Sequence, residues 1–135
     1  MKIGELMTGN PKSVTAHDSL LLATKLLKEN GFKHLPVVEN GALIGVVSDR
    51  DLKRASASDA TTLEVHELLY LLDKLKVEQI MVRDVATVEE GDTVESAARL
   101  MIDRKVGCLP VVSGGKLTGI VTKGDLIKLL ASRNT

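Results

Sequence analysis

The sequence lacks the charge imbalance and the long apolar runs that point to several common classes of function. Eighteen acidic and 18 basic residues give a formal net charge of zero, so no long-range field favours nucleic acid or an anionic membrane as a partner. Every apolar run is far shorter than the about 20 residues that span a bilayer. The first ten residues, MKIGELMTGN, lack the hydrophobic region of a signal peptide. We therefore expect a cytoplasmic protein that binds neither nucleic acid nor membrane.

The sequence is also poor in cysteine and histidine. Cys108 is the single cysteine, so an internal disulfide is excluded. The three histidines, His17, His34 and His66, show no metal-ligand spacing with it, and we expect no metal site. Because Cys108 precedes a Leu-Pro pair on an apolar stretch, we interpret it as a buried structural thiol rather than a redox sensor.

What the sequence does contain is an internal repeat. Residues 3–54 align without a gap with residues 77–128, and 15 of the 52 aligned positions are identical. A gapless register of this length indicates a duplication. The most similar stretches are LPVV at 35–38 and 109–112, GVVSDRDL at 45–52 and GIVTKGDL at 119–126.

The duplication predicts three parts: a first repeat at 1–55, a connector at 56–76 and a second repeat at 77–135. Each repeat has the pattern of strand, helix, strand, strand, helix, in which Asn40-Gly41 is a strong hairpin signal. We expect an α+β fold of two β-α-β-β-α units. They should pack about a pseudo-two-fold axis, because neither can cover both faces of its sheet alone.

Two further local predictions follow from the same pattern. The first strand of each repeat is short, around Ser13–Thr15 and Ala86–Val88. The helices that follow are predicted to be capped by Asp18 and Asp92, the second of which has a glutamate three residues later.

The connector departs from the repeat. Ser58-Asp59 and the two threonines that follow are typical of a linker and a helix cap, and its leucines predict a helix from about Leu63 to Leu75. These leucines cover more than one narrow stripe, so two interpretations stay open. The helix packs on the module like any other, or a leftover face forms a subunit contact in a homodimer. The residues of that face would be Leu68, Leu72 and Leu75.

Ser48-x-x-Asp51 and its counterpart Thr122-x-x-Asp125 have both a structural and a functional interpretation. In a capping box, the hydroxyl accepts from the amide three residues later and the carboxylate accepts from the amide of the capping residue. This pattern is common and needs no ligand.

The functional interpretation comes from the position of these helix starts directly after a strand. Free amides and the positive end of the helix dipole suit a phosphate. An aspartate can accept hydrogen bonds from two neighbouring ribose hydroxyls. The small Gly45 and Gly119 would let a ligand approach the backbone closely. Two such helix starts would frame a cleft with two related pockets.

GVVSDRDL and GIVTKGDL, each a short turn after HLPVV or CLPVV, resemble the signature of cystathionine β-synthase (CBS) domains, and the pair resembles a Bateman module. The resemblance covers the chain apart from the connector. The chain is also similar to small stand-alone bacterial CBS-pair proteins of the acetoin-utilisation kind. The resemblance implies a regulatory sensor that binds AMP, ADP, ATP or S-adenosylmethionine in clefts between the repeats, without a cofactor.

The resemblance further implies that each pocket takes its helix start from one repeat and its facing segments largely from the other. Asp51 would hold a ribose, while Ser48 and Arg50 would meet phosphate. Gly124 stands at the position of Arg50, so the two sites are expected to differ in affinity unless Lys123, Lys12 or Lys33 substitutes. The first pocket would contain Ser48, Arg50, Asp51, Ala86, Val106, Gly107 and Cys108. The second pocket would contain Thr122, Lys123, Asp125, Lys12, Phe32, Lys33 and His34.

Three classes of function can be compared on these residues. Phe32 and Tyr70 are the only aromatic residues, so a bound base would lie mainly between aliphatic walls. An enzyme would need a nucleophile with its base, paired acids or a metal cluster, and the repeat offers none beyond its two aspartates. A non-catalytic dimerisation or interaction module would use the capping boxes for stability alone. We favour the adenosine-ligand sensor, which would act on a separate effector protein.

Overall fold

The structure is a computed structural model that describes residues 1–60 and 64–133, with the backbone alone at 56–60. Within these ranges the chain forms six α-helices, five strands and a 3₁₀ turn at Val77–Gln79. In chain order the helices and strands are α1 (Ile3–Leu6), β1 (Thr8–Gly9), α2 (Leu20–Asn30), β2 (His34–Glu39), β3 (Ala42–Ser48), α3 (Asp49–Ala60), α4 (Val65–Lys74), α5 (Val94–Arg104), β4 (Cys108–Ser113), β5 (Lys116–Thr122) and α6 (Lys123–Ser132).

The duplication is visible in the element bounds. Helix α5 and strands β4 and β5 begin and end 74 residues after α2, β2 and β3. The predicted α+β class is therefore confirmed, and so is the order helix, strand, strand, helix that follows the first strand of each repeat. The predicted first strands are reduced to parallel bridges of single residues, Val14 with Val37 and Val88 with Val111.

Both hairpins turn where left-handed backbone is available. Asn40 and Gly41 have φ of 51° and 83°, and Gly114 and Gly115 have φ of 58° and 82°. Two successive residues with positive φ are typical of a type I′ turn, which matches the twist of the flanking strands. The hairpin prediction for Asn40-Gly41 is confirmed.

The predicted caps of the first helices are wrong by one residue. Ser19 and Thr93 cap α2 and α5 through their hydroxyls. Asp18 instead accepts a hydrogen bond from the Thr15 amide at 2.8 Å, and Asp92 accepts from the Glu89 amide at 2.9 Å. In each repeat a hydroxyl residue directly follows the aspartate and takes the capping position, while the carboxylate closes the preceding turn.

The chain folds into two compact units whose boundaries differ from those of the repeats. The repeat-1 unit consists of Lys12–Asn40 and Ile44–Asp84, and the repeat-2 unit of Met1–Pro11, Gly41–Leu43 and Val85–Thr135. The segment that leads each repeat therefore packs in the unit of the other repeat. We call residues 1–11 and 77–84 the leading segments.

In the repeat-2 unit, the first leading segment is part of the core. The Ile3 amide donates to the Asp92 carbonyl at 2.9 Å, and the Val94 amide donates to the Met1 carbonyl at 3.1 Å. Strand β1 pairs with β5, and β4 pairs with β5 along its length, both antiparallel. The core residues are Ile3, Val88, Val94, Ala97, Met101, Leu109, Val111 and Val121.

In the repeat-1 unit, strands β2 and β3 are neighbours, and the second leading segment completes the core. Val46 and Val82 exchange two backbone hydrogen bonds of 3.0 and 2.9 Å. The Val77 amide donates to the Asp18 carbonyl at 2.9 Å. The core residues are Val14, Leu20, Ala23, Leu27, Leu35, Val37, Val47, Leu52, Leu72, Val77 and Met81.

The connector differs from its prediction in two respects. Helix α3 continues to Ala60, so positions 58 and 59 are helical rather than linker. Helix α4 begins at Val65 without a side-chain cap, and the predicted start at Leu63 and the threonines before it lie outside the described residues.

The predicted subunit face of the connector helix is also wrong. Leu72 is buried in the core of the repeat-1 unit, and Leu68 and Leu75 pack against that core. The apolar residues that α4 exposes are Val65, Leu69 and Tyr70. Of the helices within the described residues, none is long and apolar enough to cross a membrane.

Candidate functional site

The two polar helix starts form matching capping boxes. The Asp51 amide donates to Ser48 Oγ at 3.1 Å, and the Ser48 amide donates to Asp51 Oδ2 at 3.1 Å. In the second repeat the Asp125 amide donates to Thr122 Oγ1 at 3.2 Å, and the Thr122 amide donates to Asp125 Oδ2 at 2.8 Å. The structural interpretation of both motifs is therefore confirmed.

The capping boxes leave part of each carboxylate available. Only Oδ2 of Asp51 and of Asp125 accepts these bonds, and Oδ1 of each accepts none from the part of the chain that the structure describes. Both aspartates are half-buried, so each residue keeps some exposure to solvent. Because an ionised carboxylate has about four lone-pair positions, capping a helix and accepting hydroxyl groups of a ligand are compatible.

The segments before the two Leu-Pro pairs lie beside these helix starts. The Asp49 amide donates to the Lys33 carbonyl at 2.9 Å, and the Lys123 amide donates to the Gly107 carbonyl at 2.8 Å. Each of these two contacts joins residues of the same repeat, the first contact in repeat 1 and the second in repeat 2. These contacts do not test the prediction that each helix start also faces segments of the opposite repeat. That combination stays a prediction.

His34 and Cys108 occupy equivalent positions and differ in electrostatics. Burial lowers the pKa of the His34 imidazole, while the Asp51 carboxylate raises it and Lys33 lowers it further. Burial, with the Asp125 carboxylate adding to it, raises the pKa of the Cys108 thiol to about 12. At neutral pH His34 is therefore mostly uncharged, and Cys108 is an unreactive thiol, as its structural interpretation requires.

The predicted role of the two glycines is corrected by the structure. A Cβ on Gly45 would lie 2.8 Å from the Val82 carbonyl oxygen, and a Cβ on Gly119 would lie 2.5 Å from Met7 Sδ and 3.0 Å from the Thr8 carbonyl oxygen. The space that these glycines open is filled by the two leading segments. They permit close approach of the chain itself, not of a ligand.

The start of α3 carries more positive charge than its motif suggests. Asp49, Arg50, Lys53 and Arg54 line an open groove of about 550 Å³, and Lys53 Nζ lies 3.1 Å from Asp49 Oδ2. The sequence motif indicates Arg50 but not Lys53 and Arg54, although residues three and four positions after Arg50 share its face of a helix.

The remaining predicted site residues lie on the surface or at its edge. Phe32 and Val106 are equivalent in the repeat, and both are exposed next to the Leu-Pro segments. Lys12 and Lys33 are exposed in the repeat-1 unit. Ala86 is half-buried and packs against the core of the repeat-2 unit.

Among the described residues, one group has the composition of a metal site. Glu64, His66 and Glu67 each place one ligand atom within 4.8 Å of the others, and all three are exposed. Exposed acidic groups of this kind are common on helix surfaces, so we assign no metal to them.

A family model for the CBS domain matches the chain twice, at residues 3–58 and 77–132. A CBS domain-containing protein of Dictyostelium discoideum is 37% identical over 130 residues, which cover 95% of this chain and 90% of that protein. An uncharacterized protein of Methanocaldococcus jannaschii is 32% identical over 135 residues, which cover 96% of this chain and 47% of that protein. The chain therefore spans about half the length of the second relative.

Solved structures with the same fold include proteins with bound adenosine compounds. A Vibrio cholerae protein assigned to acetoin utilization (AcuB) has a TM-score of 0.82 and 28% identity, covering 98% of this chain and 91% of that one. CBSX2 in complex with AMP has a TM-score of 0.81 and 31% identity, covering 99% and 98%. The CBS domain pair of MJ0100, in complex with 5′-methylthioadenosine and S-adenosyl-L-methionine, has a TM-score of 0.80 and 27% identity, covering 99% and 98%.

Proposed function

The chain belongs to the CBS-domain family, and from that premise we propose that it is a non-catalytic regulatory module that binds an adenosine-containing ligand. The observation that carries the proposal is the pair of half-buried aspartates, each at a helix start and each with one carboxylate oxygen outside its capping box. The AMP complex of CBSX2 and the adenosine-compound complex of MJ0100 support this class of ligand.

The roles of the residues follow from their chemistry. Asp51 and Asp125 would accept hydrogen bonds from the two hydroxyls of a ribose. Ser48, Arg50 and the positive end of the α3 dipole would bind phosphate, because a helix start carries partial positive charge. The second site has the neutral Gly124 in place of Arg50, so we propose weaker binding of phosphorylated ligands there.

Conservative substitutions separate ligand binding from helix capping. Asp51→Asn and Asp125→Asn keep an oxygen that can cap the helix but remove the charge and part of the acceptor capacity. A hydrogen bond to a charged group contributes about 1.5 to 3 kcal/mol, so we expect each variant to weaken binding at its own site by about ten- to a hundredfold. Isothermal titration calorimetry with AMP, ADP, ATP and S-adenosylmethionine measures this.

The chain offers matched controls for these variants. Asp18 and Asp92 also accept a backbone amide three residues away, but in turns that precede α2 and α5. Asp18→Asn and Asp92→Asn should leave the dissociation constants within about twofold of the parent, because they remove a charge of the same kind elsewhere. If the parent binds none of the four ligands, the alternative of a non-catalytic interaction module replaces the sensor.

We further propose that the module forms a homodimer and acts on a separate effector protein. The support for self-association is that α4 exposes two large side chains, Val65 and Leu69, beside its core face. Sedimentation at tens of micromolar should give a dimer that Leu69→Glu weakens. Leu22→Glu, a matched change on exposed α2 surface, should not weaken it. A monomeric parent contradicts the proposal.

A further inference from the structure

The two candidate sites differ in one titratable side chain close to the helix start. His34 opens β2 in the repeat-1 unit, and Cys108 opens β4 in the repeat-2 unit at the equivalent position. The backbone bond from Asp49 to Lys33 joins the start of α3 to the residue before His34, and the bond from Lys123 to Gly107 does the same before Cys108. The side chain after each bond is therefore held beside the helix start of its own repeat. This pairing differs from the one that the family resemblance implied, in which His34 belonged to the pocket at the start of α6 and Cys108 to the pocket at the start of α3.

The groups around His34 act on it in opposite directions. Asp51, from the start of α3, favours its protonated form, while Lys33, the preceding residue, and burial favour the neutral form. His34 is half-buried rather than enclosed, so it can exchange a proton with solvent. In this balance burial is the largest cause, so the pKa of His34 lies below its ordinary value and the imidazole is mostly neutral at pH 7 before a ligand binds.

An anion placed at the start of α3 would change this balance. A phosphate brings about 1.5 to 2 negative charges at pH 7 and, like any nearby anion, stabilises an imidazolium. The Cys108 thiol cannot respond in the same way, because it has no cationic form.

We propose that binding of a phosphorylated ligand at the start of α3 is coupled to uptake of one proton by His34, whereas binding at the start of α6 is not coupled at the equivalent position. The inference rests on the proposed function and adds to it that the module would respond to pH through one of its two sites. The proton comes from the solvent, and no covalent bond is made or broken.

The test compares proton uptake in the parent and in His34→Gln, with AMP as the probe. Calorimetry in two buffers of different ionisation enthalpy gives the number of protons taken up on binding at pH 7. The AMP phosphate itself titrates with a second pKa near 6, so the comparison reports the protons taken up by the coupled pair of phosphate and His34. We therefore expect the parent to take up a larger fraction of a proton than His34→Gln.

Two further arms locate the effect. Adenosine, which lacks the phosphate, should abolish the difference between the parent and His34→Gln. In an Asp125→Asn background, which weakens the second site, the difference should persist, and in an Asp51→Asn background it should disappear. If the difference between the parent and the His34→Gln variant persists in the Asp51→Asn background but disappears in the Asp125→Asn background, His34 belongs to the pocket at the start of α6. That result would overturn the inference.

The dissociation constant gives an independent readout. Relative to His34→Gln, AMP binding by the parent should tighten as pH falls from 8 towards 6, by at most about tenfold per pH unit for one coupled proton. His34→Cys, which copies the second repeat, should behave like His34→Gln and covers the case in which the glutamine variant fails to fold.

The failures of the two proposals are distinguishable. Absence of any AMP binding by the parent overturns the proposed function and this inference with it. AMP binding with equal proton uptake in the parent, His34→Gln and His34→Cys overturns this inference alone.

Discussion

Replacing Ile3 with alanine tests the exchange of leading segments between the two units. Ile3 lies near the start of the first repeat in the sequence, yet its side chain is fully buried, at 0% exposure, in the core of the repeat-2 unit. The backbone around it is bonded to the same unit through Asp92 and Glu90. The substitution should therefore destabilise residues more than 80 positions away in the chain.

The magnitude follows from the burial. Ile→Ala removes most of a buried aliphatic side chain and leaves a cavity, which costs about 2 to 5 kcal/mol in a packed core. For a chain of this size, a loss of about 3 kcal/mol lowers Tm by roughly 10 °C. Urea unfolding followed by circular dichroism measures the loss, and amide hydrogen exchange shows where protection falls.

Ile102→Ala is a matched control because it makes the same chemical change in the same unit. Ile102 lies on α5 and is 75% exposed, so its truncation should change the free energy of unfolding by no more than about 0.5 kcal/mol. In Ile3→Ala, we expect protection to fall first in β4 and β5. Equal stability of the two variants, or a first loss of protection in β2, would refute the exchange.

The remaining predictions concern three local features. Gly45→Ala and Gly119→Ala should each destabilise the fold by about 1 to 3 kcal/mol, with Gly45→Ala the worse, because its new methyl group meets a backbone oxygen rather than a flexible sulfur first; urea unfolding that ranks them in reverse contradicts this contact. With a pKa of about 12, Cys108 should have a thiolate fraction on the order of 10⁻⁵ at pH 7, so a thiol reagent should label the native protein roughly a thousandfold more slowly than the unfolded one. Burial lowers the pKa of His34 below its ordinary value, so the unfolded state binds more protons than the folded state below about pH 6.5. The contribution of His34 to the free energy of unfolding should therefore be full above that pH and fall below it. Thermal unfolding across pH 5 to 8 should show a smaller fall in stability for His34→Gln than for the parent.

The duplication made the local structure predictable, because a shared pattern constrains each repeat twice. Asn40-Gly41 fixed the first hairpin turn, and its equivalent in the second repeat adopts the same positive φ angles with two glycines. The helix caps were less predictable: Asp18 and Ser19 are adjacent, both are good capping residues, and only the geometry of the preceding turn decides which one caps.

The destination of the leading segments could not be predicted from the sequence. Ile3 and Val77 stand at equivalent positions of the two repeats, in similar short segments of mixed polar and apolar residues, so nothing local indicates which core each enters. The pattern of the repeats assigned each segment to the repeat that it precedes. Packing decides otherwise, since Gly45 and Gly119 leave room at β3 and β5 that Val82 and Thr8 approach.

Gly45, Gly119 and the two aspartates each had a structural and a ligand-binding interpretation. The structure rules out the ligand-binding interpretation for the glycines and leaves it open for the aspartates. Each glycine leaves room for one close neighbour, and a leading segment occupies that room. A ligand therefore cannot use the same space. A carboxylate has several acceptor positions, and the capping box occupies one oxygen of Asp51 and one of Asp125. Their role in helix capping is therefore compatible with their proposed role in ligand binding. The Asp→Asn variants measure the binding role, because they remove the charge while one side-chain oxygen remains to cap the helix.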